Sequence, residues 1–319
     1  MSAVRAEADA PEGSVVDEIL AGLSARQKTL PAKLFYDEAG CALFNEITRL
    51  PEYYVTRAEM ALLDRHAAEI ASHAPHGAAL IEYGASDETK AVRLLDAGTC
   101  DFTTYVPVDI APLALEAIAQ RMRLSHPALA LTTIAADFLQ PLELPEAVAC
   151  RPGFGFFPGS TIGNFRPPMV KRFLRTVRTT LSGTASPGFV VGTDLRKDPA
   201  RLIPAYDDPQ GVTAAFNRNI LRHVNRSAQA DFDPDAFAHR AIWNAHEGRI
   251  EMHLQSRVPQ VVHVAGQTIR FAAGESIHTE DSYKHTRDGF LALAQEAGWR
   301  SGGFWSDPDG LFGMHLLRG

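Results

Sequence analysis

From about residue 56 the chain alternates two hydrophobic periods. TRAEMALLDRHAAEIASH repeats apolar positions at helical spacing, with Met60, Leu63, Ala67 and Ile70 on one face and Thr56 and Glu59 at capping-box spacing, which predicts a helix start. AALIEYGAS then reads as a short buried strand closing on Gly84, TYVPVDI as a second ending at Asp109, and LALTTIAADF as a third closing on Asp137. RPGFGFFPGS is a fourth strand and PGFVVGTDL a fifth. Between them lie the helical stretches APLALEAIAQRM, with Pro112 near its first turn, and PPMVKRFLRTVRTTL. Strands alternating with helices in this way predict an α/β fold, a parallel sheet with helices on both faces, because parallel neighbours need right-handed crossovers. Such sheets bind ligands at the carboxyl ends of their strands, where Gly84, Asp109, Asp137, Gly159 and Asp194 all fall.

Residues 196–286 break the rhythm. DPQGVTAAFNRNILRHVNRS predicts a helix, RAIWNAHEGRIEMHLQSR two strands around Glu247 and Gly248, and VVHVAGQTIRF a hairpin around Ala265 and Gly266. Then KHTRDGFLALAQEAG predicts a helix, and WRSGGFWSDPDGLFGMHLLRG a terminal antiparallel hairpin turning at Asp307–Gly310. The expected division is a core of residues 56–195 and 287–319, and an α+β domain of residues 1–55 and 196–286.

Composition narrows the function. With 31 Lys and Arg against 38 Asp and Glu, the net charge of −7 offers no general attraction to nucleic acid or anionic membranes. MSAVRAEADAPEGSVV has no apolar run and reads as a frayed start, not a signal, and no apolar stretch is long enough to span a bilayer, so a soluble cytoplasmic protein is expected; a monomer is expected too. Cys41, Cys100 and Cys150 form neither a CxxC pair nor a disulfide framework. His246, His253 and His263 fall near predicted strands without HxH or HExxH spacing, so no metal is expected.

At the strand ends, Gly84 lets a ligand approach the backbone, and Lys90 stands on the helix that follows. GxGxxG is missing, which disfavours a nicotinamide dehydrogenase. Asp109 is placed to accept from ribose hydroxyls, and Asp137 with Phe138 suits the edge and face of an adenine. Each acid is equally suited to capping a helix or turn.

This sheet with a terminal antiparallel hairpin resembles the class I (Rossmann-like) S-adenosylmethionine-dependent methyltransferase core. KLFYDEAGCALFNEITRLPEYYVTRAE, FFPGSTIGNF and IHTEDSYKHT resemble, in order, the motifs of the histidine-specific methyltransferase family. That resemblance implies a substrate-binding domain beside the core and methyl transfer from S-adenosylmethionine, with S-adenosylhomocysteine as product. The acceptor would be the α-amino nitrogen of L-histidine, methylated up to three times as in ergothioneine-type biosynthesis.

By motif, Gly84, Lys90, Asp109, Asp137 and Phe138 would meet the cofactor. Tyr36, Tyr53, Gly159, Asn164 and Tyr206 would meet the substrate's amino and carboxylate groups, Tyr36 and Asn164 serving the reacting nitrogen. Glu280 and Ser282 would hold the imidazole. Met252 reads as core on its strand period, while the family borders its pocket with an equivalent methionine. Gly163 is expected to let the loop turn. EYGASDETK departs from the family's commoner Gly-Ser-Gly run, although Ala85 and Ser86 permit the turn. Other readings are methylation of another amino acid or a histidine derivative, and a catalytically silent protein of the same fold that binds the cofactor.

Overall fold

The computed structural model describes residues 14–182 and 188–319. Of the stretch expected to be a frayed start, residues 1–13 lie outside the described residues. Ser14, Val15 and Val16 correct that expectation, because Ser14 and Asp17 form a capping box that opens a helix, Val15–Ser24.

The chain divides into two compact units. The larger comprises Tyr54–Pro199, Asn244–Arg249 and Asp281–Gly319; the smaller comprises the chain up to Tyr53, Ala200–Trp243 and Ile250–Glu280. The Ser276–Tyr283 strand passes from one to the other between Glu280 and Asp281.

The larger unit is built on an eight-stranded sheet. Its spatial order is Arg300–Ser306, Phe312–Arg318, Gly188–Asp194, Gly153–Phe157, Ala79–Tyr83, Thr104–Asp109 and Ala130–Leu131, and Ile134–Ala135 also pairs with Thr104–Asp109. Pairing is parallel from Gly188–Asp194 through to the short strands, and antiparallel at Phe312–Arg318 and Arg300–Ser306. The central strands are buried at every position of Ala79–Tyr83 and Gly153–Phe157, which is why they read as unbroken apolar runs. Helix Pro167–Leu181 covers one face with Val170, Phe173, Leu174, Val177 and Leu181, the stripe that helical spacing demands. Phe173 meets Phe157 at 4.6 Å between ring centroids, and Trp299 donates its indole N–H to Leu174 O at 2.9 Å. Each fully buried phenylalanine stabilises the unit by about 1.5–3 kcal/mol.

Two local expectations are corrected. The third strand is two short pieces at the sheet's edge, so Asp137 lies in the loop beyond Ile134–Ala135. The helix Val55–Ser72 has Tyr54 at its N-cap and no side-chain cap, so Thr56 and Glu59 form no capping box. Glu59 is instead buried, accepting the Gly159 N–H at 2.7 Å and pairing with Lys90 at 2.7 Å. A charged partner distant in sequence outcompetes the local cap.

The smaller unit carries a four-stranded sheet, ordered Lys28–Thr29, Ser276–Tyr283, Arg249–Ser256 and Phe237–Asn244. A separate hairpin pairs Gln260–Val264 with Gln267–Phe271 through Ala265 and Gly266, both at positive φ as a two-residue turn requires. Helix Val212–Ser227 packs on the turn Ala32–Phe35 and helix Glu38–Ile47, with Phe35 stacked on Phe216 at 4.6 Å. Among the described residues no helix is long and apolar enough to cross a membrane.

Candidate active site

In the larger unit, the residues expected to meet the cofactor gather where the parallel strands end. Gly84 directly follows Ala79–Tyr83 at φ +71°, a conformation that L side chains rarely adopt. A Cβ there would lie 3.5 Å from Phe138 and 3.7 Å from Phe157, so the bare backbone faces a phenyl wall. Phe138 itself packs edge-on against Phe157 and Phe173. Asp109 ends the next strand and accepts the Ala111 N–H at 2.8 Å, while partial burial raises its carboxyl above the usual range. Asp137 accepts the Leu139 N–H at 2.9 Å. Both acids therefore brace turns, as capping acids do.

Lys90 is held by Glu59, and its ammonium would lie 3.2 Å from a Cβ at Gly159, joining the first strand's exit to the fourth's. Burial alone would lower the Lys90 pKa, but the Glu59 carboxylate, with Asp87 and Glu82 adding, holds it above its ordinary value. Glu82, one residue before Tyr83, was not singled out from the sequence. Desolvation pushes its carboxyl up to about 8, against the lowering pull of the Tyr105 hydroxyl that donates to it and of Lys90.

The turn after Gly153–Phe157 passes twice through the left-handed region: Gly159 has φ +78°, which glycine adopts freely, and Ser160 φ +56°. These two residues make the turn that was expected of Gly163. Gly163 serves a close approach instead, since a Cβ on it would lie 2.8 Å from the Tyr283 carbonyl oxygen. Asn164 ends the short helix Thr161–Asn164, half-buried, beside the chain segment that carries Ser282.

Ser282 belongs to a buried polar network that spacing alone did not reveal. Lys284 donates to Ser282 Oγ at 2.8 Å and pairs with Asp194 at 2.8 Å. The Tyr54 hydroxyl reaches both Asp194 oxygens at 2.9 Å, Lys197 joins the same carboxylate, and the Asp194 N–H donates to Ser160 Oγ at 2.8 Å. Burial would raise the Asp194 carboxyl, but Lys284 and Lys197 hold it below its usual value. Visible hints were Asp194 at a strand end and the second tyrosine of EYY; what was missing was the fold that joins them.

In the smaller unit, Tyr36, Tyr53 and Tyr206 come together with Phe44 and Phe216. Tyr53 lies 6.3 Å from both Tyr206 and Phe44, and Tyr36 lies 6.1 Å from Phe44 between ring centroids. Tyr36 is 44% exposed, yet its phenol is held above its ordinary pKa, first by the desolvation of its inner side and then by the charge of Glu280, with Tyr53, Cys41 and Tyr206 adding. Glu280 is thus close enough to Tyr36 for its charge to act on that phenol. Tyr206 also accepts, through its carbonyl, a hydrogen bond from His239 at 2.8 Å. Met252 is 2% exposed on Arg249–Ser256, and its carbonyl accepts from Thr279 Oγ1 at 3.0 Å.

A family model described as histidine-specific methyltransferase, SAM-dependent, matches residues 15–319. The chain belongs to that family. It is 42% identical over 316 residues to the histidine N-alpha-methyltransferase of Mycolicibacterium smegmatis, covering 97% of this chain and 96% of the relative. Identity is also 42% with the Mycobacterium tuberculosis enzyme of the same name, over 94% of this chain and 93% of that one. It is 30% identical to ergothioneine biosynthesis protein 1 of Neurospora crassa, over 91% of this chain and 33% of that protein. The protein is therefore an S-adenosylmethionine-dependent methyltransferase with a class I core. The glycine cradle at Gly84, walled by Phe138, with acids at the next two strand exits, fits that cofactor.

Proposed function

We propose that the enzyme methylates the α-amino nitrogen of L-histidine up to three times, giving the trimethylated betaine, as a step toward an ergothioneine-type product in the cytoplasm and as a monomer. The observation that carries this reading is the grouping of the Tyr36, Tyr53 and Tyr206 rings around Phe44 in the smaller unit, with the charge of Glu280 acting on Tyr36. Phenols suit a substrate that brings both a carboxylate to accept and an amine to donate. Glu280 offers an acceptor to an imidazole N–H, and Ser282 follows two residues later on the same strand, where alternation turns both side chains to one side.

In this reading the smaller unit takes the substrate. Gly84, Lys90, Asp109, Asp137 and Phe138 hold the cofactor, which supplies an electrophilic methyl group on a sulfonium. The Asp109 carboxylate receives ribose hydroxyls, and Asp137 with Phe138 receives the adenine. Glu59, paired with Lys90, accepts the Gly159 N–H and fixes that backbone against the first strand's exit, while Gly159, Asn164, Tyr53 and Tyr206 bind the amino-acid end. Met252 borders the ring.

No side chain serves as a strong base. An α-amino group titrates near about 8, so solvent takes its proton at neutral pH. Tyr36, whose raised pKa keeps its proton, and Asn164 orient the lone pair, and alignment supplies much of the acceleration. Reaction ends when the nitrogen is quaternary and has no lone pair. Mass spectrometry of products from histidine and S-adenosylmethionine, run against the other amino acids, tests the proposal. A mass gain of one to three methyl groups on histidine alone is expected; an unmodified histidine overturns it.

A further inference from the structure

Three side chains in the sheet of the smaller unit take no part in the reaction described above. Glu251 and His253 stand two residues apart on Arg249–Ser256, so the pleat puts both on one face. His278 comes from Ser276–Tyr283, the neighbouring strand. One donor atom from each lies within 4.8 Å of the other two, and the two imidazoles stack at 4.7 Å with 20° between their planes.

We infer that Glu251, His253 and His278 form a binding site for one divalent cation of the Zn2+ type, held by two imidazole nitrogens and a carboxylate oxygen. Borderline nitrogen donors with one carboxylate suit zinc, and three protein ligands leave a fourth position for water. Donors about 2.0–2.2 Å from a tetrahedral ion stand roughly 3.3–3.6 Å apart. The observed spacing therefore has to close by at most about 1.5 Å, within the range of side-chain rotation.

The hydrogen bonds support the assignment. His278 donates its Nε2–H to the Glu280 carbonyl at 3.1 Å, a tautomer that leaves the lone pair on Nδ1. A ligating histidine is ordinarily fixed by such a bond from its other nitrogen to a backbone carbonyl. His253 Nε2 faces Glu251 Oε2 at 3.2 Å, and one proton serves both atoms. An entering cation takes the place of that proton. The Glu251 and His253 side chains are 10% and 13% exposed, which removes most water from around them. Spacing along the chain hid the site, because its third ligand lies on another strand.

Titrating untagged, chelator-treated full-length protein with ZnCl2 against a chromophoric chelator tests the site. Wild type is expected to bind one equivalent, and His253→Ala and Glu251→Gln to bind at least tenfold more weakly. Binding of no zinc, or equal affinity in wild type and both variants, overturns the inference. Ring-proton NMR of the unaltered chain gives a reading that does not depend on variants folding. Substoichiometric Zn2+ is expected to perturb His253 and His278 first among the twelve histidines; first perturbation of other histidines overturns it.

Discussion

Lys284 Nζ lies 2.8 Å from Asp194 Oδ2 with both side chains wholly buried, and the same ammonium donates to Ser282 Oγ. An ammonium can only donate, so the bond to Ser282 makes its oxygen the acceptor and fixes its orientation. Removing one partner of such a pair leaves a charge in a dry site. Lys284→Met is expected to cost about 3–5 kcal/mol of stability, measured by urea unfolding near neutral pH. Asp194 is held below its ordinary value, so its contribution is full above the unfolded carboxylate range and fades as pH falls through the folded pKa. The cost of Lys284→Met should shrink in strong acid; a loss under about 1 kcal/mol at neutral pH would show that Lys197 alone suffices.

Glu82 titrates in the opposite sense. Its pKa rises from 4.5 to about 8, so the folded protein keeps a proton that the unfolded chain releases. The group favours folding fully below the unfolded value, and this is lost as pH climbs through the folded one. The window spans roughly 3.5 units, an upper bound of about 4–5 kcal/mol. Glu82→Gln cannot ionise. Relative to wild type it is expected to gain stability between about pH 5 and about pH 9, and an unchanged difference at the two pH values contradicts a protonated Glu82.

Local pattern carried the sheet, and long-range pairing carried what the pattern missed. Ala79–Tyr83 and Gly153–Phe157 were legible because buried strands are written in consecutive apolar residues. The places of Gly84 and Asp109 at strand exits were legible because the apolar runs of Ala79–Tyr83 and Thr104–Asp109 stop there. Glu59 was misread as half of a capping box because its partner, Lys90, belongs to another helix. Asp194 looked like a strand-end acid, and only the folded chain brings Tyr54, Lys197 and Lys284 to it. Gly163 illustrates the limit most simply: a glycine reads as a turn, yet the turn is made at Gly159 and Ser160 while Gly163 makes room for Tyr283.

Replacing Glu280 separates substrate recognition from cofactor binding. In the proposed reading its carboxylate accepts from the imidazole, and a hydrogen bond to a charged group contributes about 1.5–3 kcal/mol, roughly 10–100-fold. Glu280→Ala should raise the histidine KM by that factor with the S-adenosylmethionine Kd little changed. Equal losses in both constants would contradict the assignment. The variant also removes charge beside Tyr36, whose phenol pKa should fall toward its ordinary value.

Asn164 is the sharper test, because its position depends on its neighbours and its chemistry on its own amide. The turn at Gly159 and Ser160 starts the short helix Thr161–Asn164, and the close approach of Gly163 to the Tyr283 carbonyl seats its end. An amide that donates and accepts suits an amine beside a carboxylate. Asn164→Ala is expected to lower kcat/KM for histidine by roughly 10–100-fold or more, one or two lost hydrogen bonds, with the cofactor Kd nearly intact by calorimetry. Asn164→Asp keeps the shape and an acceptor but loses the donor, so it should not rescue activity if the amide must donate. Gly163→Ala keeps the amide and displaces it, since the added Cβ would lie 2.8 Å from Tyr283 O. A loss in Gly163→Ala comparable to that in Asn164→Ala identifies placement as the requirement, whereas full activity in Asn164→Ala removes the residue from the reaction.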